Sequence, residues 1–308
     1  YYAGGKIVSS QQVVVPGGSR GTIFPASASP ALPARVAVVV TSSQPVAVER
    51  PTYFSNINGN NAGTVSGGAD VIGVQNLSND WLFAEGYTGG QFQENLVIAN
   101  VDPAGVAANV NIKLETSTGV PQSYQLTVNP NSQAVWSANA VEPGQSLSAE
   151  VTSTGAKIVV EREMFFRYSH VANGRSLSAT GGTDVLGQPG PAAASNYSFA
   201  EGYTNTGYDE WLTIQNPTNA TETITIFLVN EAGGSYTTSI QVSSQTRATE
   251  DITAMVLSHL YQDGSSFTAF EVSMVVQSSN GAFVAERPMY WNASGTQGGS
   301  DAIGYTGG

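Results

Sequence analysis

The chain repeats itself at an unusually long period. The block Trp-Leu-Phe-Ala-Glu-Gly-Tyr-Thr at residues 81–88 returns as Tyr-Ser-Phe-Ala-Glu-Gly-Tyr-Thr at residues 197–204. Two further markers, a Glu-Arg pair and a Gly-Gly-x-Asp-x-x-Gly loop, each occur three times in constant order. The period is about 115 residues. Solenoid repeats are 20–50 residues long, whereas roughly 100 residues make a whole sandwich domain. The repetition therefore predicts a string of similar domains.

The markers divide the chain into three units: residues 1–75, 76–190 and 191–308. The first unit is a partial sandwich, because it lacks the Phe-Ala-Glu-Gly block and the two strands that follow it. Two explanations stay open. Either the chain is a window cut from a longer array, or a neighbouring chain completes the first unit and covers its unpaired strand edges. The third unit is about ten residues longer than the second, and we expect a short surface helix there.

Strand signals dominate within each unit. Residues 270–276 alternate apolar and polar side chains with period two, and residues 36–40 form a short apolar run rich in valine. Glycine and polar turn residues separate such segments. Short strands at this spacing are typical of a sandwich or barrel. The sequence therefore predicts an all-β fold of tandem Ig-like antiparallel β-sandwich domains.

The composition excludes several classes of function. Charged residues make up 11% of the chain, against about 25% in ordinary globular proteins. The net charge is −12 and no basic run exists, so nucleic acid is not an expected partner. Cysteine is absent, which rules out disulfides and thiolate metal sites. No apolar run approaches the ~20 residues of a membrane span. The neutral, polar surface suits dense packing between subunits, so copies of the chain itself are the expected partners.

Glutamate and arginine residues recur at equivalent positions of the units. Paired carboxylates can hydrolyse glycosides, but a catalytic site is rarely repeated in every unit. We therefore predict no enzyme activity and no catalytic residue. The arginines are instead expected to bind the glutamate of the Phe-Ala-Glu-Gly strand inside each sandwich, holding the strands in register. The residues of this structural set are Glu49, Arg50, Glu85, Glu161, Arg162, Glu201, Glu286 and Arg287.

No metal or cofactor is expected. Each Gly-Gly-x-Asp-x-x-Gly loop offers one carboxylate, whereas a calcium site gathers several oxygen ligands. A tight turn, with glycine at positive φ, explains these loops better. The two histidines, His170 and His259, are not at equivalent positions, and without cysteine they build neither a zinc site nor a catalytic triad.

An aromatic pair follows each Glu-Arg marker. Exposed aromatic rings can stack on sugars, so glycans are an alternative partner. Recurrence on a strand favours packing in the core or between domains. The six residues are Tyr53, Phe54, Phe165, Phe166, Tyr290 and Trp291.

Together these motifs resemble the tandem Ig-like repeats of large secreted and cell-surface bacterial proteins. The resemblance covers essentially the whole chain. It departs at Val101, where the third unit has Pro217, and at Glu163, where the other units have Pro51 and Pro288. It implies an extracellular, cell-surface location and a passive role. We expect a structural protein, a subunit of a filament, pilus or sheath. An adhesive or carbohydrate-binding module and the accessory region of a secreted hydrolase are the alternatives.

Overall fold

In the computed structural model, which describes residues 1–28, 31–117, 119–190, 194–262, 270–279 and 281–307, the chain consists mostly of antiparallel β-strands. One short α-helix lies within these residues. The all-β prediction is confirmed. Within the described residues, no helix is long and apolar enough to cross a membrane.

The described part of the first unit contains four strands and two short 3₁₀ helices, at Pro25–Ser27 and Asn60–Ala62. The strands are β1 (Tyr2–Ala3), β2 (Lys6–Ile7), β3 (Glu49–Asn58) and β4 (Thr64–Ile72).

The second unit carries nine strands and a 3₁₀ helix at Ala138–Ala140. The strands are β5 (Asp80–Phe83), β6 (Gln91–Asn100), β7 (Ala108–Glu115), β8 (Gln122–Val128), β9 (Ser132–Ser137), β10 (Ser148–Thr154), β11 (Val159–Ala172), β12 (Arg175–Leu186) and β13 (Gln188–Pro189).

The third unit repeats this order and adds the helix α1 (Ile252–Gln262). Its strands are β14 (Asn196–Phe199), β15 (Tyr208–Asn216), β16 (Glu222–Asn230), β17 (Ser235–Val242), β18 (Thr246–Asp251), β19 (Val272–Ser278), β20 (Val284–Glu286), β21 (Met289–Ala293) and β22 (Thr296–Ser300).

Two sheets share one core in the second unit. Their strand orders are β13-β5-β10-β7-β8 and β12-β11-β6-β9. The core takes alternate residues of facing strands, such as Leu96 and Ile98 on β6 and Ile112 on β7, because successive side chains of a strand point to opposite faces. Trp81 is fully buried there, and its indole N–H donates to the carbonyl of Ile158 at 3.0 Å. The indole therefore fills the core without leaving an unpaired donor.

The third unit has the same plan, with strand orders β14-β19-β16-β17 and β18-β15-β21-β22. β20 also pairs with β15. Pro288 separates β20 from β21 because proline has no N–H to donate. The second unit has Glu163 at this position, and β11 runs unbroken through it. Helix α1 begins after Asp251, whose Oδ1 accepts the N–H of Ala254 at 2.7 Å as an N-cap.

The first unit contributes a hairpin, β3–β4, rather than a complete pair of sheets. In the other units the strands equivalent to β3 also pair with β6 or β15. Within the described residues no strand pairs with the second edge of β3. The hairpin is therefore half of a sheet.

The hairpins of the three units stack on one another. A Cβ placed on Gly67 of β4 would lie 3.5 Å from the Cα of Gly181 on β12. A Cβ placed on Gly181 would lie 3.4 Å from the Cα of Gly298 on β22. Glycine at these positions lets the backbones approach closely. The third marker of the repeat thus lies where consecutive units meet.

Candidate functional site: arginine clamps between units

Arg162 joins the second unit to the third. It lies on β11 and is 0% exposed. Its Nη1 donates to the carbonyl oxygen of Glu85 at 2.6 Å. Its Nη2 donates to Glu286 Oε2 at 2.8 Å and also to Asp301 Oδ2, both in the following unit. We call an arginine held by a glutamate and an aspartate of the next unit an arginine clamp.

The same clamp connects the first unit to the second. Arg50 on β3 donates from Nη2 to Glu161 Oε2 at 2.9 Å and to Asp184 Oδ2 at 2.5 Å. Glu161 and Asp184 occupy the positions that Glu286 and Asp301 hold in the third unit. The Arg50 side chain is 45% exposed, because the first unit has no Phe-Ala-Glu-Gly segment to cover it.

For Arg50 and Arg162 the pairing differs from the expected one, in which each arginine binds a glutamate side chain of its own sandwich. Arg287 comes nearest to the expected arrangement, with its Nη2 3.9 Å from Glu201 Oε2 of its own unit. Within its own unit, Arg162 donates to the main chain of Glu85 and lies over the ring of Phe83, whereas the carboxylates that bind it come from the next unit. The reason is the alternation of side chains along a strand. Glu and Arg are neighbours in the marker, so the glutamate faces the preceding unit and the arginine faces the following one.

The pKa values of the two carboxyls in the buried clamp shift in opposite directions. Burial raises the pKa of Asp301 well above its usual value, and the adjacent Glu286 adds to this effect. Burial opposes ionisation of Glu286 as well, yet Arg162 brings its pKa below the usual value. Arg162 thus favours the ionised form of Glu286, whereas burial disfavours the ionised form of Asp301. Pairing with Arg162 matters because an unpaired charge is costly in a site as buried as this one.

A second arginine, Arg247 on β18, reaches back across the same boundary. It is 3% exposed. Its Nε donates to the carbonyl of Ala84 and its Nη2 to Glu85 Oε2, both at 3.4 Å. The glutamate of the Phe-Ala-Glu-Gly segment is therefore bound by the following unit. The signal in the sequence is the alignment of Arg247 with Arg20 of the first unit.

The aromatic pairs also lie between units. Phe54 meets Phe165 of the next unit edge to face, with centroids 5.5 Å apart. Phe166 meets Tyr290 in the same way at 5.0 Å. Such contacts favour a fixed orientation of the two hairpins. Tyr53, at the free side of the first hairpin, is 85% exposed.

The remaining candidate groups are the histidines and the carboxylates of the glycine-rich loops. The described residues contain no cluster of three or more His, Cys, Asp or Glu placed to hold a metal ion. Asp184 and Asp301 of the glycine-rich loops bind arginine instead. His170 lies between Asp209 and Asp251, at 3.2 and 3.3 Å. The side chain of His259 lies outside the described residues.

No protein-family model matches the chain, and no curated protein matches it. Among solved structures, three chains match. One is a protein whose structure is titled "Crystal Structure of Thermotoga maritima 1070". It is 19% identical over 38% of this chain and 97% of its own length, with a TM-score of 0.31. A likeness this distant carries no argument about function.

Proposed function

We propose that this chain is an extracellular structural protein, a subunit of a cell-surface filament, pilus or sheath built from stacked Ig-like β-sandwich repeats. The observation that carries the proposal is the buried clamp at Arg162. It ties consecutive units through side chains that are 0 and 1% exposed. A buried ion pair of this kind fixes geometry more than it adds stability. Units joined in this way make a stiff stack, which is what a structural fibre needs.

The surface composition supports the same role. With 11% charged residues and a net charge of −12, the outer strands present mainly Ser, Thr, Asn and Gln. Such a surface packs through hydrogen bonds without burying many charges. No attraction to nucleic acid is expected from it.

Assembly of the purified chain tests the proposal. We expect fibres by negative-stain electron microscopy and a sedimentation coefficient that rises with protein concentration. A chain that stays monomeric at every concentration and forms no fibres would contradict the structural role.

Glycan binding is a second candidate function, and the exposure of Tyr53 favours it. Phe165, Phe166 and Tyr290 lie between the units, which leaves Tyr53 and the half-buried Trp291 for contact with a sugar. Binding to a glycan array that is lost in both Tyr53→Ala and Trp291→Ala would support this alternative. An array on which the wild-type chain binds no glycan would contradict the glycan-binding function.

A further inference from the structure

The clamp of the third unit lacks the partners that the other clamps have. Arg287 corresponds to Arg162 and is 6% exposed. Its Nη1 donates to the carbonyl of Glu201, as Arg162 does to Glu85. The nearest carboxylate oxygen recorded for it, Glu201 Oε2, is 3.9 Å from Nη2. Within the described residues neither Arg287 Nε nor Arg162 Nε has a hydrogen-bond partner, so the two arginines differ in the partners of their terminal nitrogens. The guanidinium is largely desolvated but holds only the half of its clamp that its own unit supplies.

The surface around Arg287 is open where the equivalent surface of the second unit is covered. Ala84 is 0% exposed and Glu85 7%, because the third unit packs over them. In the third unit, Ala200 is exposed and the Glu201 side chain is 76% exposed. The end of the third unit therefore has the shape of an interface without the unit that would cover it.

The opposite end of the chain carries the missing groups. On the outer face of the first hairpin, Glu49 and Asp70 are both exposed. They occupy the marker positions of Glu286 and Asp301. Neither takes part in an ion pair within the described residues. The hairpin thus presents two free carboxylates.

Aromatic residues at the two ends match in the same way. Phe166 packs against Tyr290 and lies close to Gly299, where a Cβ would be 2.7 Å from its ring. Trp291 is the counterpart of Phe166 at the open end. The counterparts of Tyr290 and Gly299 on the first hairpin are Tyr53 and Gly68, which pair across the strands and are exposed.

We infer that the end of the third unit binds the first hairpin of a second copy of this chain, with Arg287 clamped by Glu49 and Asp70 of that copy. Trp291 packs against Tyr53 and Gly68, as Phe166 packs against Tyr290 and Gly299. Arg20 of the second copy takes the place that Arg247 has beside Glu85, here beside Glu201. This inference rests on the proposed function and names the partner and the contact.

The contact uses different surfaces on the two copies, so it is head to tail. Each copy keeps one free end after binding, and the step from copy to copy repeats the step from unit to unit inside the chain. A heterologous contact of this kind builds an open fibre unless the rotation closes a ring. The chain's net charge of −12 opposes general attraction between copies, so association depends on this specific pairing.

Two end-blocked variants test the inference. Arg287→Glu removes the arginine of one end, and the double variant Glu49→Arg/Asp70→Arg reverses the carboxylates of the other. Sedimentation velocity is run on each variant alone and on their equimolar mixture, with Lys157→Glu as a charge-changing control at an exposed site far from both ends in sequence. The dissociation constant of each blocked contact should rise by at least about thirtyfold, since a buried charge loses its partner.

We expect each end-blocked variant alone to be monomeric, and the mixture to form at least dimers, because each variant keeps the end that the other lacks. Lys157→Glu should assemble like the wild type. Circular dichroism checks that the variants fold. Trp291→Ala blocks the same end as Arg287→Glu without placing a new charge, so it keeps the test valid if Arg287→Glu fails to fold.

The outcomes separate this inference from the proposed function. Wild-type fibres together with unimpaired assembly of the end-blocked variants would overturn the inference and leave the structural role standing. A mixture that stays monomeric would also overturn it. A wild-type chain that never assembles would overturn both.

Discussion

Single residues carry the contacts between the units, and their neighbours in sequence serve different partners. Glu161 binds Arg50 of the preceding unit, while the adjacent Arg162 binds Glu286 of the following one. Two consecutive positions on one strand therefore connect three units. The buried Glu286 is also the acceptor for the Ala84 N–H at 2.7 Å, so this carboxylate binds both the arginine and the main chain of the preceding unit.

Removing the buried arginine should be far more harmful than removing the half-exposed one. Arg162→Ala leaves Glu286 and Asp301 without a counter-charge at 0 and 1% exposure. We expect a loss of about 3–5 kcal/mol in the free energy of unfolding. The matched control Arg50→Ala should cost no more than about 1 kcal/mol, because the Arg50 side chain is 45% exposed and solvent screens the pair. Urea unfolding of both variants measures the difference, and equal losses would contradict the assignment of Arg162 as the buried clamp.

Two buried glutamates should make the protein more stable in mild acid than in mild base. Burial raises the pKa of Glu94 to about 7 and that of Glu210 to about 8. The folded chain therefore keeps protons that the unfolded chain releases near its ordinary pKa of 4.5. The free energy of unfolding falls as the pH rises from there towards 8, by about 1.4 kcal/mol for each unit of pKa difference.

Melting temperatures across this pH range test the effect. The double variant Glu94→Gln/Glu210→Gln keeps the side-chain shape without the titration, so its melting temperature should depend less on pH. A wild type that grows more stable as the pH rises would show that these carboxyls are ionised in the folded protein.

The hairpins are the elements that bring these residues together. β11–β12 of the second unit lies between β3–β4 and β21–β22, and glycines at the crossing points remove the side chains that would separate the backbones. Strand β11 is 14 residues long, so it can pair with β6 along part of its length and still reach the next unit. The hairpin is therefore both a part of its own sheet and a connector.

A methyl group at a crossing point should loosen the stack. A Cβ on Gly181 would lie 3.0 Å from Phe166 Cζ and 3.4 Å from the Cα of Gly298. We expect Gly181→Ala to lower the free energy of unfolding by about 1–3 kcal/mol through overpacking. Gly17→Ala, where no atom lies within 4 Å of the added carbon, is the control and should be neutral or slightly stabilising. The urea unfolding midpoints of the two variants are compared with that of the wild type. An unchanged midpoint for Gly181→Ala would mean that the hairpins are not in contact.

On the scale of the whole molecule, the clamps predict a fixed angle between the second and third units. The chain has no cysteine, so the double variant Gln125→Cys/Thr237→Cys carries spin labels at these two positions and nowhere else. Both positions are exposed and lie on strands. We expect a narrow distribution of distances between these labels. Units that moved freely would give a broad distribution and would contradict a stiff stack.

The variant Arg247→Gln should widen that distribution. It removes the contact from the third unit to Glu85, while the equivalent position of the second unit already carries glutamine, Gln133. The sandwich should therefore tolerate the change, and only the contact between units is lost. An unaltered distribution would mean that Arg247 does not help to fix the angle between the units, and that Arg162 and the aromatic contacts suffice.

The sequence by itself determined that the chain repeats with a period of about 115 residues, that its local structure is β, and which charged and aromatic residues recur. These follow from local patterns: alternation along strands, turn residues and constant marker order. Only the tertiary structure decided the partners. Arg162 and its carboxylates are 124 and 139 residues apart, and whether they meet depends on how one folded unit packs on the next. Strand alternation turns the glutamate and the arginine of each marker to opposite faces. Strand alternation could thus have indicated that the glutamate and the arginine bind different units. Which units these are follows only from the stacking of the hairpins.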